Sequence, residues 1–213
     1  MDREIAGILL EIGAVSLRVD PPYTWASGRL APLYCDNRLL MSHLQARART
    51  TAGLAELLDG AGWRPEVIAG TATAGIPHAA WLSERMKLPM VYVRGSAKGH
   101  GKQSRIEGLL ESGQSVVLIE DLVSTGGSSL EAAGAVTEAG GNLLGVAAIF
   151  SYELDAASRR FDEAGTPLAT LTGFGALMDE ALSRGRLSAA DKAILADWRR
   201  DPAAWSAARG GEG

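Results

Sequence analysis

The stretch VVLIEDLVSTGGSS, residues 116–129, decides the fold of this chain. It opens with four apolar residues, which have the composition of a strand buried on both faces. Two carboxylates, Glu120 and Asp121, follow directly, and a turn of glycine and hydroxyl residues comes next. Ser128 and Glu131 have the spacing of a capping box, which predicts a helix start after the turn. A buried strand, a glycine turn and a helix in this order indicate an α/β unit.

The turn between the predicted strand and helix is suited to binding a phosphate. Its backbone N–H groups and hydroxyls, together with the helix dipole, favour an anion. The stretch lacks the GK[ST] of a P-loop and the GxGxxG of a dinucleotide site. Because Glu120 and Asp121 would repel a phosphate, we expect them to face sugar hydroxyls, a magnesium ion or developing positive charge. Phosphate and vicinal hydroxyls together indicate a ribose 5-phosphate; the alternative is a capped helix after two solvated acids.

Short apolar runs alternate with helical patterns on both sides of this stretch. The predicted strands are 67–70, 90–94, 115–121, 143–150 and 168–173, and the helices between them include 78–87 and 129–139. Near-continuous apolar strands alternating with helices predict a largely parallel sheet covered on both faces. The fold class is therefore α/β, a single domain with a mostly parallel central sheet flanked by helices. In such sheets ligands bind beyond the carboxyl ends of the strands.

The two ends of the chain follow other patterns. Residues 2–17 have apolar residues at helical spacing and predict a helix, and residues 43–60 predict another. Between them, residues 21–38 are too interrupted by proline and glycine for a long element. Residues 176–208 predict a helical C-terminal addition.

Composition excludes several classes of protein. The net charge of −4 argues against a dedicated nucleic-acid binder. No apolar run approaches the roughly 20 residues that span a bilayer, and the N-terminal residues lack a secretory signal pattern. The single cysteine, Cys35, fits a reducing cytoplasm and is expected to be a packed thiol rather than a nucleophile.

A second glycine-rich segment, residues 94–105, concentrates positive charge. It contains Arg94, Lys98, Lys102 and Arg105 and no acidic residue. Such a segment is suited to closing over a polyanion and excluding water from the reacting centre. The alternative is a solvated basic surface loop.

A third glycine-containing loop, GTATAGIP at 70–77, also follows a predicted strand. Pro77 suits the start of the next helix. The backbone amides or threonine hydroxyls of this loop would hold pyrophosphate or the water shell of a metal.

These motifs together resemble a known family. VLIEDLVSTGGSS is similar to the motif by which type I phosphoribosyltransferases bind phosphoribosyl pyrophosphate (PRPP). The basic loop and YTWASGRLAPLYCDNR (23–38) resemble the orotate phosphoribosyltransferases in particular. The resemblance implies one domain over 1–213, composed of a hood at 18–40, a mobile loop at 94–107, a PRPP loop at 120–128 and the C-terminal addition at 176–208.

The resemblance also implies which residues bind PRPP. Glu120 and Asp121 would engage the ribose 2- and 3-hydroxyls, with Asp121 also catalytic. The 5-phosphate would be wrapped by the loop residues Leu122, Val123, Ser124, Thr125, Gly126, Gly127 and Ser128. Arg94, Lys98 and His100 would contact pyrophosphate, with Lys98 catalytic, in the active site of the neighbouring subunit of a homodimer. Where many relatives have a lysine this chain has Gly95, and Lys102 is a candidate substitute.

For the base, the resemblance implies that Ser27, Gly28 and Ser124 contact orotate, with Arg29 or Arg38 as candidates for its carboxylate. Mg²⁺ would be held mainly by PRPP and water, without a direct protein ligand. The implied activity joins orotate to PRPP in pyrimidine (UMP) biosynthesis in the cytoplasm, without nucleic acid or membrane partners. Two alternatives stay open: a phosphoribosyltransferase for another base, and a non-catalytic PRPP-binding regulator, which would be expected to carry a DNA-binding segment.

Overall fold

The computed structural model of the chain describes residues 1–25, 27–95 and 105–212. Its centre is a six-stranded sheet in the order β10-β9-β8-β5-β6-β7. These strands are β5 Val67–Thr71, β6 Met90–Val93, β7 Ile106–Glu107, β8 Ser115–Val123, β9 Asn142–Ser151 and β10 Leu168–Gly173. All neighbouring strands are parallel except β6 and β7, which are antiparallel. The predicted α/β fold with a mostly parallel central sheet is confirmed.

Helices cover both faces of the sheet. They are α1 Asp2–Glu11, α2 Leu44–Gly60, α3 Gly75–Met86, α4 Gly127–Glu138, α5 Asp155–Glu163, α6 Phe174–Ser183, α7 Ala189–Arg200 and α8 Pro202–Ala207. On one face, Ile68, Val117 and Ile149 pack into a core with α1, α2, α3 and α6. On the other face, Val67, Leu118 and other strand residues pack against α4 and α5. Alternate residues of each strand therefore enter different cores, which explains why the strands read as continuous apolar runs.

The predicted helix over 2–17 is too long. The helix α1 ends at Glu11, and Gly13 adopts a φ of +74°, a left-handed conformation that ends helices. Residues Val15–Leu17 then form β1, which pairs antiparallel with β4, Leu33–Cys35. The apolar residues after Gly13 are therefore buried through strand pairing rather than by a helical face.

The interrupted segment 21–38 forms a small layer at one end of the sheet. It contains β2 Tyr23–Thr24 and β3 Leu30–Ala31, which pair with each other, and then β4. A 3₁₀-helix, Asn37–Ser42, leads from β4 into α2. The C-terminal addition consists of α6, α7 and α8, and it begins at Phe174, two residues before the predicted boundary.

Within the described ranges, none of the helices is both long enough and apolar enough to cross a bilayer.

Candidate active site

A cavity of about 260 Å³ lies at the carboxyl ends of β5 and β8. This is the edge of a parallel sheet at which ligands are expected. Described residues from three parts of the chain line it. They are Cys35, Asp36 and Arg38 at the end of β4, Thr71, Ala72, Thr73 and Ala74 at the end of β5, and Glu120, Asp121, Leu122 and Ser128 at β8 and α4. The fold thus brings the acidic strand end, the GTATAG loop and the YCDNR segment to one place.

The two acids differ in their surroundings. Glu120 is 5% exposed, and its two carboxylate oxygens accept hydrogen bonds from the Asp121 amide at 3.2 Å and the Ser129 hydroxyl at 3.0 Å. Asp121 is half-buried. Glu120 is therefore fixed by the protein, whereas Asp121 is the more accessible of the two.

Burial and mutual repulsion disfavour ionisation of both acids. Burial raises the pKa of Glu120 to about 8, and the adjacent charge of Asp121 contributes to the rise. Burial also raises the pKa of Asp121, while the hydrogen bond with Glu120 and the charge of Arg38 act in the opposite direction. Two carboxyls in contact behave as one coupled site. Without a ligand, this pair retains a proton more readily than exposed carboxyls do.

The turn after β8 is shorter than the predicted PRPP loop 120–128. Leu122 and Val123 still belong to β8 because they pair with Phe150 and Ser151 of β9. The turn proper is 124–126, and α4 begins at Gly127 with Gly126 as its N-cap.

The predicted capping box is wrong. Gly126 has a φ of +79° and no side chain to donate or accept, and Ser128 lies inside the first turn of α4. Ser128 is exposed and lines the cavity instead. The uncapped amides at the start of α4 are thus available to an anion in the cavity.

The helix α5 packs against this turn. It was not predicted from the sequence. Arg160 donates a hydrogen bond from Nη1 to the carbonyl oxygen of Thr125 at 3.1 Å. A Cβ on Gly126 would lie 2.8 Å from Cε2 of Phe161, so the turn packs closely on α5. The helix escaped prediction because only Ala157 and Phe161 of its nine residues are buried.

The loop between β5 and α3 also lines the cavity. Thr71 is buried, and its hydroxyl has no hydrogen-bond partner within the described part of the chain. A Cβ on Gly75 would lie 2.4 Å from the carbonyl oxygen of Ile119, so only glycine allows α3 to start this close to β8. The Ala72–Thr73 peptide bond is cis.

The segment after β4 completes the site and contains a residue that sequence reasoning missed. Asn37 is fully buried, and its Nδ2 donates a hydrogen bond to the Asp121 carbonyl oxygen at 2.7 Å. Cys35 donates a hydrogen bond from Sγ to Oδ1 of Asn37 at 3.5 Å. Burial, with Asp121 and Asp36 nearby, raises the pKa of the Cys35 thiol. A thiol held neutral in this way is a poor nucleophile, which agrees with its expected packing role.

The predicted base-binding residues lie on the turn between β2 and β3. Gly28 has a φ of +80°, and its amide donates to the Trp25 carbonyl at 2.9 Å. Among the described residues that line the cavity, Ser27, Gly28 and Arg29 do not occur, whereas Arg38 does. The structure therefore places Arg38 nearer to the acidic pair than Arg29.

Part of the predicted basic loop can be located. The Arg94 amide donates to the Arg105 carbonyl at 2.9 Å, and the Arg94 guanidinium pairs with Glu107 at 3.4 Å. The GTATAG loop adjoins this point, since the Ala72 amide donates to the Val93 carbonyl at 2.9 Å. Lys98, His100 and Lys102 lie outside the described residues.

Over residues 1–25, 27–95 and 105–212, no group of three or more His, Cys, Asp or Glu side chains is arranged to hold a metal ion. Asp36 and Asp121, however, line the same cavity. Mg²⁺ in proteins is commonly bound by one or two carboxylates, with substrate phosphates and water completing its shell. The residues present fit such a partly hydrated ion.

Known proteins share both the sequence and the fold. A phosphoribosyl transferase domain model matches residues 42–168. An orotate phosphoribosyltransferase of Bacillus cereus is 50% identical over 207 residues, which cover 96% of this chain and 99% of that protein. The orotate phosphoribosyltransferase of Aeropyrum pernix superposes with a TM-score of 0.74 at 27% identity, covering 86% of this chain and 99% of that one. The Mycobacterium tuberculosis enzyme in complex with PRPP superposes with a TM-score of 0.64 at 27% identity, covering 82% and 97%.

Proposed function

The chain belongs to the orotate phosphoribosyltransferases of the phosphoribosyl transferase family, and we propose that its reaction takes place in the cavity at the carboxyl end of β8. It is a pentosyltransferase that joins orotate to PRPP, with release of pyrophosphate and formation of orotidine 5′-monophosphate. One observation carries the choice of site. The acidic pair, Glu120 and Asp121, lines one cavity together with Ser128 in the uncapped first turn of α4.

The ribose 5-phosphate of PRPP would bind across β8 and α4. The 5-phosphate would accept hydrogen bonds from amides of the turn 124–127 and from the Ser128 hydroxyl, since a helix N-terminus favours an anion. The ribose 2- and 3-hydroxyls would donate to Asp121 and Glu120. Donors of this kind favour the ionised carboxylates, so binding of the sugar would release the proton that the acidic pair retains.

Pyrophosphate would lie toward the β5–α3 loop. The buried Thr71 hydroxyl has no partner in the described chain and adjoins the cavity, so it suits an oxygen of the leaving group. Arg38 also lines the cavity. By family resemblance, Arg94, Lys98 and His100 would add positive charge, and Arg94 would then share its guanidinium between pyrophosphate and Glu107.

A magnesium ion would be held by the PRPP oxygens and water, with Asp121 and Asp36 as outer partners. When bound, it supplies neutralising charge to pyrophosphate.

In the chemical step, the protein mainly positions the two substrates and stabilises the charges that develop. The bond between C1 and pyrophosphate oxygen breaks, its electron pair leaves with pyrophosphate, and the orotate ring nitrogen forms the new bond to C1. Lys98, Arg94 and His100 would stabilise the charge on the leaving group. Asp121 would stabilise the positive charge that develops on the ribose, and it would accept the proton lost from the orotate nitrogen. The remaining rate enhancement would come from holding the two anionic substrates, orotate and PRPP, in line for the reaction.

Orotate would lie between the hood and the PRPP loop. Ser27 and Gly28 would contact the pyrimidine, and Ser124 would contact it from the turn after β8. Arg38 is the better of the two candidate partners for the orotate carboxylate, because it lines the cavity and its positive charge acts on Asp121.

We also propose that the enzyme is a cytoplasmic homodimer in which the basic loop serves the partner's site. Four large apolar side chains between β4 and the start of α2 are exposed: Tyr34, Leu39, Met41 and Leu44. Apolar residues grouped beside a functional site are typical of an interface. The unpaired Cys35 is consistent with a reducing compartment.

Sedimentation gives the oligomeric state, and mixed subunits test sharing of the loop. Inactive Lys98→Ala and inactive Asp121→Asn chains, once exchanged, are expected to recover part of the activity in mixed dimers. Verified exchange without recovery would contradict a loop that acts across subunits.

The function is tested by the loss of orotate ultraviolet absorbance on addition of PRPP and Mg²⁺, with uracil and hypoxanthine as parallel acceptors. Rapid loss with orotate alone is the expected result. Saturable PRPP binding without turnover of any base would instead indicate a regulator.

A further inference from the structure

We propose that the C-terminal clasp, residues 202–212, positions the hood turn 27–30 for orotate. The clasp consists of α8 and the tail that follows it. This inference rests on the proposed function, since it takes Ser27 and Gly28 as contacts of the base. It assigns to the C-terminal addition a role in base affinity that is separate from binding of PRPP.

One buried hydroxyl joins the clasp to the hood. Ser206 of α8 is fully buried. Its Oγ accepts a hydrogen bond from the Leu30 amide at 2.9 Å and donates one to the Glu212 carbonyl oxygen at 2.5 Å. A single side chain therefore fixes both the second strand of the hood and the end of the tail.

The tail also contacts the turn directly. The Glu212 amide donates to the Gly28 carbonyl oxygen at 3.2 Å. A Cβ on Gly28 would lie 2.6 Å from Cδ of Glu212, and a Cβ on Gly211 would lie 2.7 Å from Cγ of Leu30. The tail and the hood turn are thus closely packed, and Gly28 and Gly211 leave room for the side chains of Glu212 and Leu30.

The hood turn is carried by a short hairpin, β2 and β3, that joins no larger sheet in the described chain. The strands β2 and β3 have two residues each and pair only with each other in the described sheets. A two-stranded hairpin is marginally stable at best, even when its strands are longer. A further anchor is Trp25, whose ring lies 6.0 Å from that of Trp198 in α7 and 5.6 Å from that of Tyr152. The hood therefore depends on the C-terminal addition for its position.

This arrangement separates the two substrates. Displacement of the turn 27–30 would alter contacts to the base, while the acidic pair and the turn 124–126 are built on β8 and α4. Loosening the clasp is therefore expected to raise the KM for orotate and to leave the KM for PRPP unchanged. A purely structural role would not produce that difference.

The test uses two variants of the full-length chain. Ser206→Ala removes both hydrogen bonds of the hydroxyl. Gly211→Ala places a Cβ 2.6 Å from Oγ of Ser206 and 2.7 Å from Cγ of Leu30, which displaces the tail. Matched controls are Ser183→Ala, whose exposed hydroxyl bonds only within α6 in the described structure, and Gly134→Ala, where a Cβ on exposed α4 meets no described atom within 4 Å. Steady-state kinetics for each substrate and hydrogen exchange of the Leu30 amide are measured for all four.

The expected result is a rise of about three- to tenfold in the orotate KM of both variants, as the loss of one or two hydrogen bonds implies. The PRPP KM stays the same, the Leu30 amide exchanges faster, and both controls match the unaltered chain. An unchanged orotate KM, or a parallel rise in both KM values, would overturn the inference. If the unaltered chain fails to turn over orotate, the proposed function fails, and unchanged Leu30 exchange in the variants would then refute the clasp independently.

Discussion

Asn37 and Asp121, 84 residues apart in the chain, are joined by a hydrogen bond of 2.7 Å from the Asn37 amide to the Asp121 carbonyl oxygen. Asn37 is fully buried at the start of the 3₁₀-helix, and Asp121 lies at the end of β8. The bond ties the segment after the hood to the strand that carries the ribose-binding acids. The position of Asp121 thus depends on a residue that has no direct contact with the proposed substrate.

Replacement of Asn37 is expected to affect both stability and PRPP use. Asn37→Ala leaves a buried carbonyl without its donor, which costs about 1–3 kcal/mol of unfolding free energy. Displacement of Asp121 is expected to lower kcat/KM for PRPP by roughly tenfold, since each ~1.4 kcal/mol of lost interaction is a factor of ten. Denaturant unfolding and steady-state kinetics measure the two effects. The control is Asn142→Ala at the exposed start of β9; equal effects in both variants would contradict a positioning role.

The raised pKa of Glu120 gives a pH-dependent prediction. The pKa of Glu120 is about 8 in the folded chain against 4.5 for the ordinary carboxyl. Ionisation therefore costs the folded state more than the unfolded state, and stability is lost as pH rises from about 4.5 to about 8. Glu120→Gln removes this loss. We expect the variant to gain stability over the unaltered chain as pH rises through this window.

Thermal unfolding at pH 5 and pH 8 measures this gain, and each ~1 kcal/mol corresponds to roughly 2–4 °C in Tm for a chain of this size. The same variant is expected to bind PRPP more weakly, because an amide replaces an ionised acceptor for ribose hydroxyls. A control at an exposed acid, Glu138→Gln on α4, is expected to show neither effect. A Tm difference for Glu120→Gln that is the same at both pH values would contradict the raised pKa.

Arg160 is predicted to act on PRPP from outside the cavity. Its guanidinium holds the Thr125 carbonyl at 3.1 Å and so fixes the turn that would wrap the 5-phosphate. Arg160→Ala is expected to raise the KM for PRPP by about fivefold, which corresponds to one hydrogen bond of ~1 kcal/mol. The adjacent exposed residue provides the comparison, Arg159→Ala, which loses the same charge. Equal KM changes in the two variants would show that only the net charge matters.

The basic loop is predicted from family resemblance alone. If Lys98 stabilises the departing pyrophosphate, Lys98→Ala is expected to lower kcat by about 10²–10³, the range for one lost electrostatic stabiliser. Lys102→Ala tests whether this residue substitutes for the lysine missing at Gly95. The control is Lys87→Ala, a change at an exposed lysine at the C-terminal end of α3. Single-turnover kinetics separate this step from binding. An unchanged kcat with only a raised orotate KM would show that Lys98 does not stabilise the departing pyrophosphate.

The sequence carried enough information for the sheet and its acidic edge, for a physical reason. Strands such as Val67–Thr71 are buried on both faces, so their composition alone reveals them. The acids and the small residues after β8 lie within one continuous stretch, and their order along the chain sets their order in space. The segment after β4 resembled a known sequence pattern, but its position beside β8 was not predicted, because that position depends on tertiary packing.

Three features of the site were not readable from the sequence. The partner of Asn37 is 84 residues away, and no local spacing reports such a pairing. The helix α5 is nine residues long, mostly polar, and buries only two residues, so few apolar positions mark it in the sequence. The predicted capping box is wrong because Gly126, in a left-handed conformation, is the N-cap of α4, so Ser128 already lies inside the helix. In each case a long-range contact or a backbone conformation decides the outcome.

Phosphoribosyl transfer in the cavity at the end of β8 is tested most directly by kcat/KM for PRPP in Asp121→Asn. The substitution keeps the size of the side chain and removes the negative charge that would face the ribose. We expect a loss of about 10² or more, with Asp59→Asn on the surface unchanged. A value for Asp121→Asn equal to that of the unaltered chain would place the reaction elsewhere.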